Sequence, residues 1–146
     1  MKEQAQQFEE SVPPSGLPRQ RRGARGLKTV IIGASPNTSR YSYQAAELLK
    51  NYGYEFVPVG IKKGEVLGKT ILDIRTQPMI EDTDTITLYI RPELQKEWED
   101  YMLSLNPRRI IFNPGTENFA FEQRAIAAGI ETLEACTLVM LQTNQY

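Results

Sequence analysis

Residues 28–43 read KTVIIGASPNTSRYSY, and the order of residue types in that stretch decides the fold. A β-branched apolar run, Val30-Ile31-Ile32, stops at Gly33. A loop of small and polar residues follows, from Ala34 to Ser39, and a helix then opens. This strand–loop–helix order is how α/β folds hold phosphate. Backbone N–H groups and the positive end of the helix dipole converge where an anion can sit. Gly33 is the only glycine in the loop, so the spacing G-x-G-x-x-G is absent and an ordinary NAD fingerprint is not supported.

Outward from this stretch, strands and helices alternate. Thr29 to Ile32 reads as a fully apolar strand, suited to the centre of a parallel sheet. Ser42 to Tyr52 reads as a helix with Ala45, Leu48, Leu49 and Tyr52 on one face, Ser39 as its N-cap and Gly53 just past its end. Glu55 to Val59 is the second strand, with Pro58 expected at its end because proline cannot donate to a ladder. Lys69 to Leu72 is expected as a short edge strand and Thr76 to Ile80 as a helical turn. Thr85 to Ile90 is a strong strand. Pro92 then opens a helix that buries Leu94, Trp98, Tyr101, Met102 and Leu105 and stops at Asn106-Pro107. Arg109 to Phe112 is a strand, Glu117 to Ala128 a helix and Glu131 to Ala135 the last clear strand. Thr137 to Leu141 reads equally as strand or helix.

This alternation predicts an α/β fold: a Rossmann-like three-layer sandwich around a mostly parallel sheet of five to six strands. Such sheets bind ligands at the carboxyl ends of the strands. The first strand delivers Gly33, Ala34 and Ser35, then Ser39, Arg40, Tyr41 and Ser42, to that edge. The second delivers Gly60, Ile61, Lys62 and Lys63. The middle strand delivers Ile90, Arg91 and Pro92, the next Asn113, Pro114 and Gly115, and the last Cys136. Small residues, turn formers and cations therefore gather at one edge. Arg40 at a helix start opposes the helix dipole, a conflict that a bound phosphate removes.

Composition narrows the chemistry. With 146 residues the chain is one domain in length, with enough residues for a core. It has no histidine, which excludes Ser-His and Cys-His pairs, phosphohistidine and imidazole metal ligands. One cysteine allows no internal disulfide and fits a reducing, cytoplasmic setting. No metal site is expected. No apolar run approaches ~18 residues, so no membrane span is expected. Charge is uneven. Lys2 against Glu3, Glu9 and Glu10 leaves residues 1–18 at −2, residues 19–28 carry +5, and the rest carry −4. Residues 1–27 read as a polar, solvated tail, dispensable for folding, with a basic cluster able to touch RNA or an acidic surface. The acidic body gives no support for nucleic-acid binding.

At these positions the chain resembles the CoA-binding domain family, small single-domain bacterial proteins similar to the N-terminal domain of the succinyl-CoA synthetase α subunit. The stretches that carry the resemblance are KTVIIGASPNTSRYSY, YGYEFVPVGIKKGEVLG, LYIRP, IIFNPGTEN and AGIETLEAC, spanning Lys28 to Cys136. The family's Gly, small residue and Ser match Gly33, Ala34 and Ser35, and its Ser-Tyr pair matches Ser42-Tyr43. Its Pro-Val-Asn-Pro-Lys stands here as Pro58-Val59-Gly60-Ile61-Lys62, with glycine for asparagine and isoleucine for proline. The resemblance implies that the first loop binds the diphosphate of coenzyme A or an acyl-CoA and that Lys62 reaches the phosphate on the adenosine ribose. It also implies that the turn Asn113-Pro114-Gly115 borders the pantetheine or adenine. CoA carries about four negative charges, so a diphosphate loop with a separate cation is the expected layout. NADP needs a similar cation after the second strand and is the alternative ligand.

The larger ligase relatives use a phosphohistidine on a separate domain, which this chain lacks. The first expectation is therefore a binding protein that does no chemistry of its own. An NADP-dependent oxidoreductase or sensor would need a proton donor, for which Tyr41, Tyr43 and Tyr89 are candidates. A redox module would use Cys136 in a mixed disulfide with CoA. A homodimer, or an unknown protein partner acting through the basic tail, stays open.

Overall fold

A computed structural model describes residues 27–146 of the chain, so the tail expected over 1–27 lies, but for Leu27, outside the described residues. Six strands form one all-parallel sheet: β1 (Lys28–Ile32), β2 (Glu55–Gly60), β5 (Leu72–Asp73), β6 (Thr83–Leu88), β7 (Arg109–Phe112) and β8 (Glu131–Glu134). Their order across the sheet is β5-β2-β1-β6-β7-β8. The chain winds outward from β1 to β2, then crosses back to place β6 on the other side of β1. The winding direction reverses between β1 and β6, where such sheets open a crevice. The fold is the expected Rossmann-like α/β sandwich.

The alternating side chains of the strands feed two cores. Val30, Ile32, Val59, Ile86, Leu88, Ile110 and Phe112 face one side, packed with Tyr101, Met102, Leu105, Phe121 and Ala125. Ile31, Phe56 and Ile111 face the other, packed with Ala46, Leu49, Leu141 and Tyr146. The helices are α1 (Tyr41–Asn51), α2 (Pro92–Gln95), α3 (Glu99–Ser104), α4 (Phe119–Ala127) and α5 (Thr137–Gln142), and all but α2 supply these partners, with Leu105 and Tyr146 just beyond helix ends. Two-residue periodicity thus buries β1 on both faces.

Several boundaries differ from the sequence reading. Pro58 lies inside β2, opposite Ile31. The carbonyl of the adjacent Val59 faces β1, so Pro58 turns its missing donor away from β1, on a side that β5 covers only at Val59 and Gly60. The stretch 69–72 divides: Lys69–Thr70 (β4) pairs antiparallel with Glu65–Val66 (β3), and Leu72 opens the edge strand β5. The expected turn over 76–80 comes earlier, as a 3₁₀ turn over Ile74–Thr76. β6 begins and ends two residues before its expected limits. The helix after Pro92 is broken by a 3₁₀ turn over Lys96–Trp98, and Leu94 is exposed while Gln95 is buried. At the break Gln95 is held by polar partners. Gln95 Nε2 donates 2.8 Å bonds to the carbonyls of Ile90 and Thr116, and its Oε1 accepts from Asn118 Nδ2. The ambiguous segment 137–141 is helical.

Candidate functional site

The loop after β1 is shaped from below by close packing. Gly33 has φ +96°, and a β-carbon there would stand 2.9 Å from Ile90 Cγ2 and 3.1 Å from the Tyr89 carbonyl carbon. The N–H groups of Gly33 and Ala34 both donate to the Val59 carbonyl, at 2.9 and 3.0 Å. These two donors are committed to the sheet. The loop then folds around Asn37. Its N–H donates to Ser35 Oγ, and its Oδ1 accepts from the Ser39 N–H and Ser39 Oγ, at 3.0 and 2.8 Å. Ser39 is therefore not the helix cap. Arg40 holds that position, with no side-chain hydrogen bond of its own, and the Ser39 hydroxyl is spent inside the turn. The N–H groups of Tyr41 and Ser42, at the first positions of α1, have no intrahelical acceptor. They remain the backbone donors suited to an anion.

These elements border an open cleft of about 820 Å³ at the carboxyl edge of the sheet. Of the residues expected there, Gly33, Ala34, Ser35, Arg40, Tyr41, Ser42, Gly60, Lys62, Ile90, Arg91 and Pro114 line it. Ser39, Pro92, Asn113 and Gly115 are not among its lining residues. Asn113 is 3% exposed and braces three elements. Its Nδ2 donates to Thr87 Oγ1 and the Leu88 carbonyl, and its Oδ1 accepts from the Thr137 N–H. The Gly115 N–H donates to Glu117 Oε1. This side chain and this amide are occupied within the fold, while Pro114 and Thr116 reach the cleft from the same turn.

Sequence reasoning missed part of the wall. Ile74 and Arg75, from the turn after β5, line the cleft, as do Leu94, Glu97 and Trp98. Trp98 was assigned to the core by helical spacing; it is half-buried and packs against one core cluster while bordering the cleft. Arg75 belongs to no motif, and its one sequence signal is the Asp73-x-Arg75 spacing. The cleft is therefore mixed. Arg40, Lys62 and Arg75 lie near the loop, β2 and β5, and the apolar Ile90, Leu94 and Trp98 follow β6 together with Arg91 and Glu97.

Electrostatics divide the cations. Arg91 lies 3.5 Å from Glu93, and Arg75 lies 2.9 Å from Asp73. Among the described residues no ion pair engages Arg40 or Lys62, and both are exposed. Of the candidate proton donors, Tyr41 is 70% exposed. Tyr43 packs partly buried in the second core cluster. Burial pushes the Tyr89 hydroxyl up to about 12, which makes it a weaker acid than a solvated phenol. Cys136 is half-buried, precedes α5 and is not a lining residue. No cluster of three potential metal ligands occurs among the described residues, and no helix there is long and apolar enough to cross a membrane.

Solved structures share this architecture. An uncharacterised protein is 54% identical and superposes with a TM-score of 0.80, over 84% of this chain and all of that one. A hypothetical protein from Pyrococcus horikoshii OT3 is 24% identical, with a TM-score of 0.70 over 92% of this chain and 97% of its own. A protein from Thermus thermophilus, 18% identical, gives a TM-score of 0.71 over 88% and 96% of the two chains. No curated protein matches the chain. The sequence pattern described as the CoA binding domain matches residues 28–142, which contain every strand, the β1–α1 loop and the cleft. The chain belongs to the CoA-binding domain family.

Proposed function

We propose that the domain holds coenzyme A or an acyl-CoA in this cleft, with no chemistry of its own. In this reading the start of α1 takes the diphosphate and Lys62 takes the phosphate on the adenosine ribose. The observation that carries it is the pair of exposed cations without carboxylate partners among the described residues, Arg40 beside the helix start and Lys62 beyond β2, both on the cleft wall. A ligand with a diphosphate and a separate phosphomonoester matches two cationic positions better than one with a single anionic group. The apolar wall of Ile90, Leu94 and Trp98 offers contact to the less polar parts of such a ligand. The absence of histidine from the whole chain favours binding over group transfer.

The test is calorimetric titration of protein freed of co-purified nucleotide, with CoA, acetyl-CoA, dephospho-CoA and NADP in parallel. CoA should bind about tenfold more tightly than dephospho-CoA, and Lys62→Ala should remove most of that preference. Binding of NADP without binding of CoA would overturn the reading and favour an NADP-dependent oxidoreductase or sensor.

A further inference from the structure

Lys62 is not alone at its end of the cleft. Parallel pairing sets Gly60 of β2 opposite Asp73 of β5. Parallel strands run in the same direction, so the residues that follow both emerge at the same sheet edge. Two residues beyond Gly60 is Lys62, and two beyond Asp73 is Arg75. Both line the cleft.

Arg75 is also oriented. Asp73 Oδ1 accepts from the Arg75 backbone N–H at 2.9 Å and from Arg75 Nε at 2.9 Å. The Asp73 carbonyl accepts from Thr76 Oγ1 at 2.7 Å, which closes the turn. Tying down Nε fixes the plane of the guanidinium. Its two terminal amino groups have no protein acceptor among the described residues. A planar fork held in this way suits a phosphate, which accepts two parallel N–H bonds. Lys62 adds a further cation to the cleft wall, and hydrogen bonds from Arg75, then the charges of Arg75 and Lys63, hold the Asp73 carboxyl below the usual carboxylate range. As a structural ion pair it would contribute little, since its side chains are 59% and 43% exposed.

We infer that Arg75 is the second arm of a two-cation grip, with Lys62 the first, on a phosphate carried by the ligand's ribose. It is therefore a specificity-determining residue for phosphorylated over unphosphorylated ribose. The inference rests on the reading of the cleft as a CoA site.

The experiment compares CoA with dephospho-CoA by calorimetry for the wild type, Arg75→Ala, Arg75→Lys and Lys50→Ala. Lys50 is an exposed cation in the last turn of α1 and controls for net charge. Arg75→Ala should weaken CoA binding about tenfold and change dephospho-CoA binding less than about twofold. Arg75→Lys should recover part of the preference, because it keeps the charge and loses the fork. Lys50→Ala should leave the preference intact. Equal losses for both ligands in Arg75→Ala, or an unchanged preference, would overturn the assignment while leaving CoA binding in place. A wild type that binds no CoA would overturn the reading of the cleft, and this assignment with it.

Discussion

Gly60 and Ala34 touch backbone to backbone: a β-carbon on Gly60 would lie 2.9 Å from the Ala34 carbonyl oxygen and 3.2 Å from its nitrogen. The loop after β1 thus sits where a side chain at position 60 would project. Gly60→Ala should push that loop away from β2, at a cost of about 1–3 kcal/mol. The displaced loop carries Ser35 and leads to Arg40, so nucleotide affinity should fall by more than stability alone explains. Thermal melts and titrations on the same preparation separate the two effects.

Arg40 should show opposite effects on stability and binding. It occupies the cap position of α1, where the helix dipole repels a cation, and it makes no capping bond. Arg40→Ala should therefore stabilise the ligand-free fold by about 0.3–1 kcal/mol. The same change should weaken CoA binding roughly fivefold to tenfold. A melt that rises while affinity drops marks a residue kept for its ligand. Unchanged affinity would remove Arg40 from the phosphate site.

Acid should act through Asp84. Burial alone would raise its carboxyl, but hydrogen bonds from Arg108 and Thr85, with the charges of Arg108 and Arg109, outweigh this and hold it below the ordinary value. The ionised form is favoured in the native state. Its contribution is complete above the unfolded value of about 3.9 and is lost as pH falls through the lower native value. Melting temperature should therefore drop below about pH 4. Asp84→Asn should be less stable by about 1–3 kcal/mol at neutral pH, with a shallower acid slope. Melts between pH 3 and pH 7 at fixed ionic strength read both effects.

The sheet was legible where burial is apolar. β1, β2 and β7 sit within one residue of their expected limits, since the runs 29–32, 55–59 and 109–112 carry the pattern themselves. β6 was misplaced because Thr83 and Asp84 look like loop residues. Their burial depends on the Thr83 bond to the Ile80 carbonyl and on the Asp84–Arg108 pair, partners distant or non-periodic in sequence. The helix after Pro92 failed for the same reason, since Gln95 and Glu99 are buried through hydrogen bonds to later segments, Gln95 to the Thr116 carbonyl and Glu99 from Arg124. At the cleft, the glycine and cation positions followed from strand ends alone. Arg75 escaped notice because its place depends on a two-residue edge strand, whose pairing with β2 no periodicity announces.

Trp98 is the only tryptophan in the sequence, and it lies on the apolar wall of the cleft. The protein therefore carries its own optical reporter, at one address, with no competing indole to dilute the signal. A ligand that extends along Ile90 and Leu94 must change the polarity or quenching around that ring. One held only at the Lys62 end can bind and leave the emission spectrum unmoved. Heat and light then answer different questions about one titration: calorimetry counts occupancy, and emission tells how far across the cleft the occupant reaches.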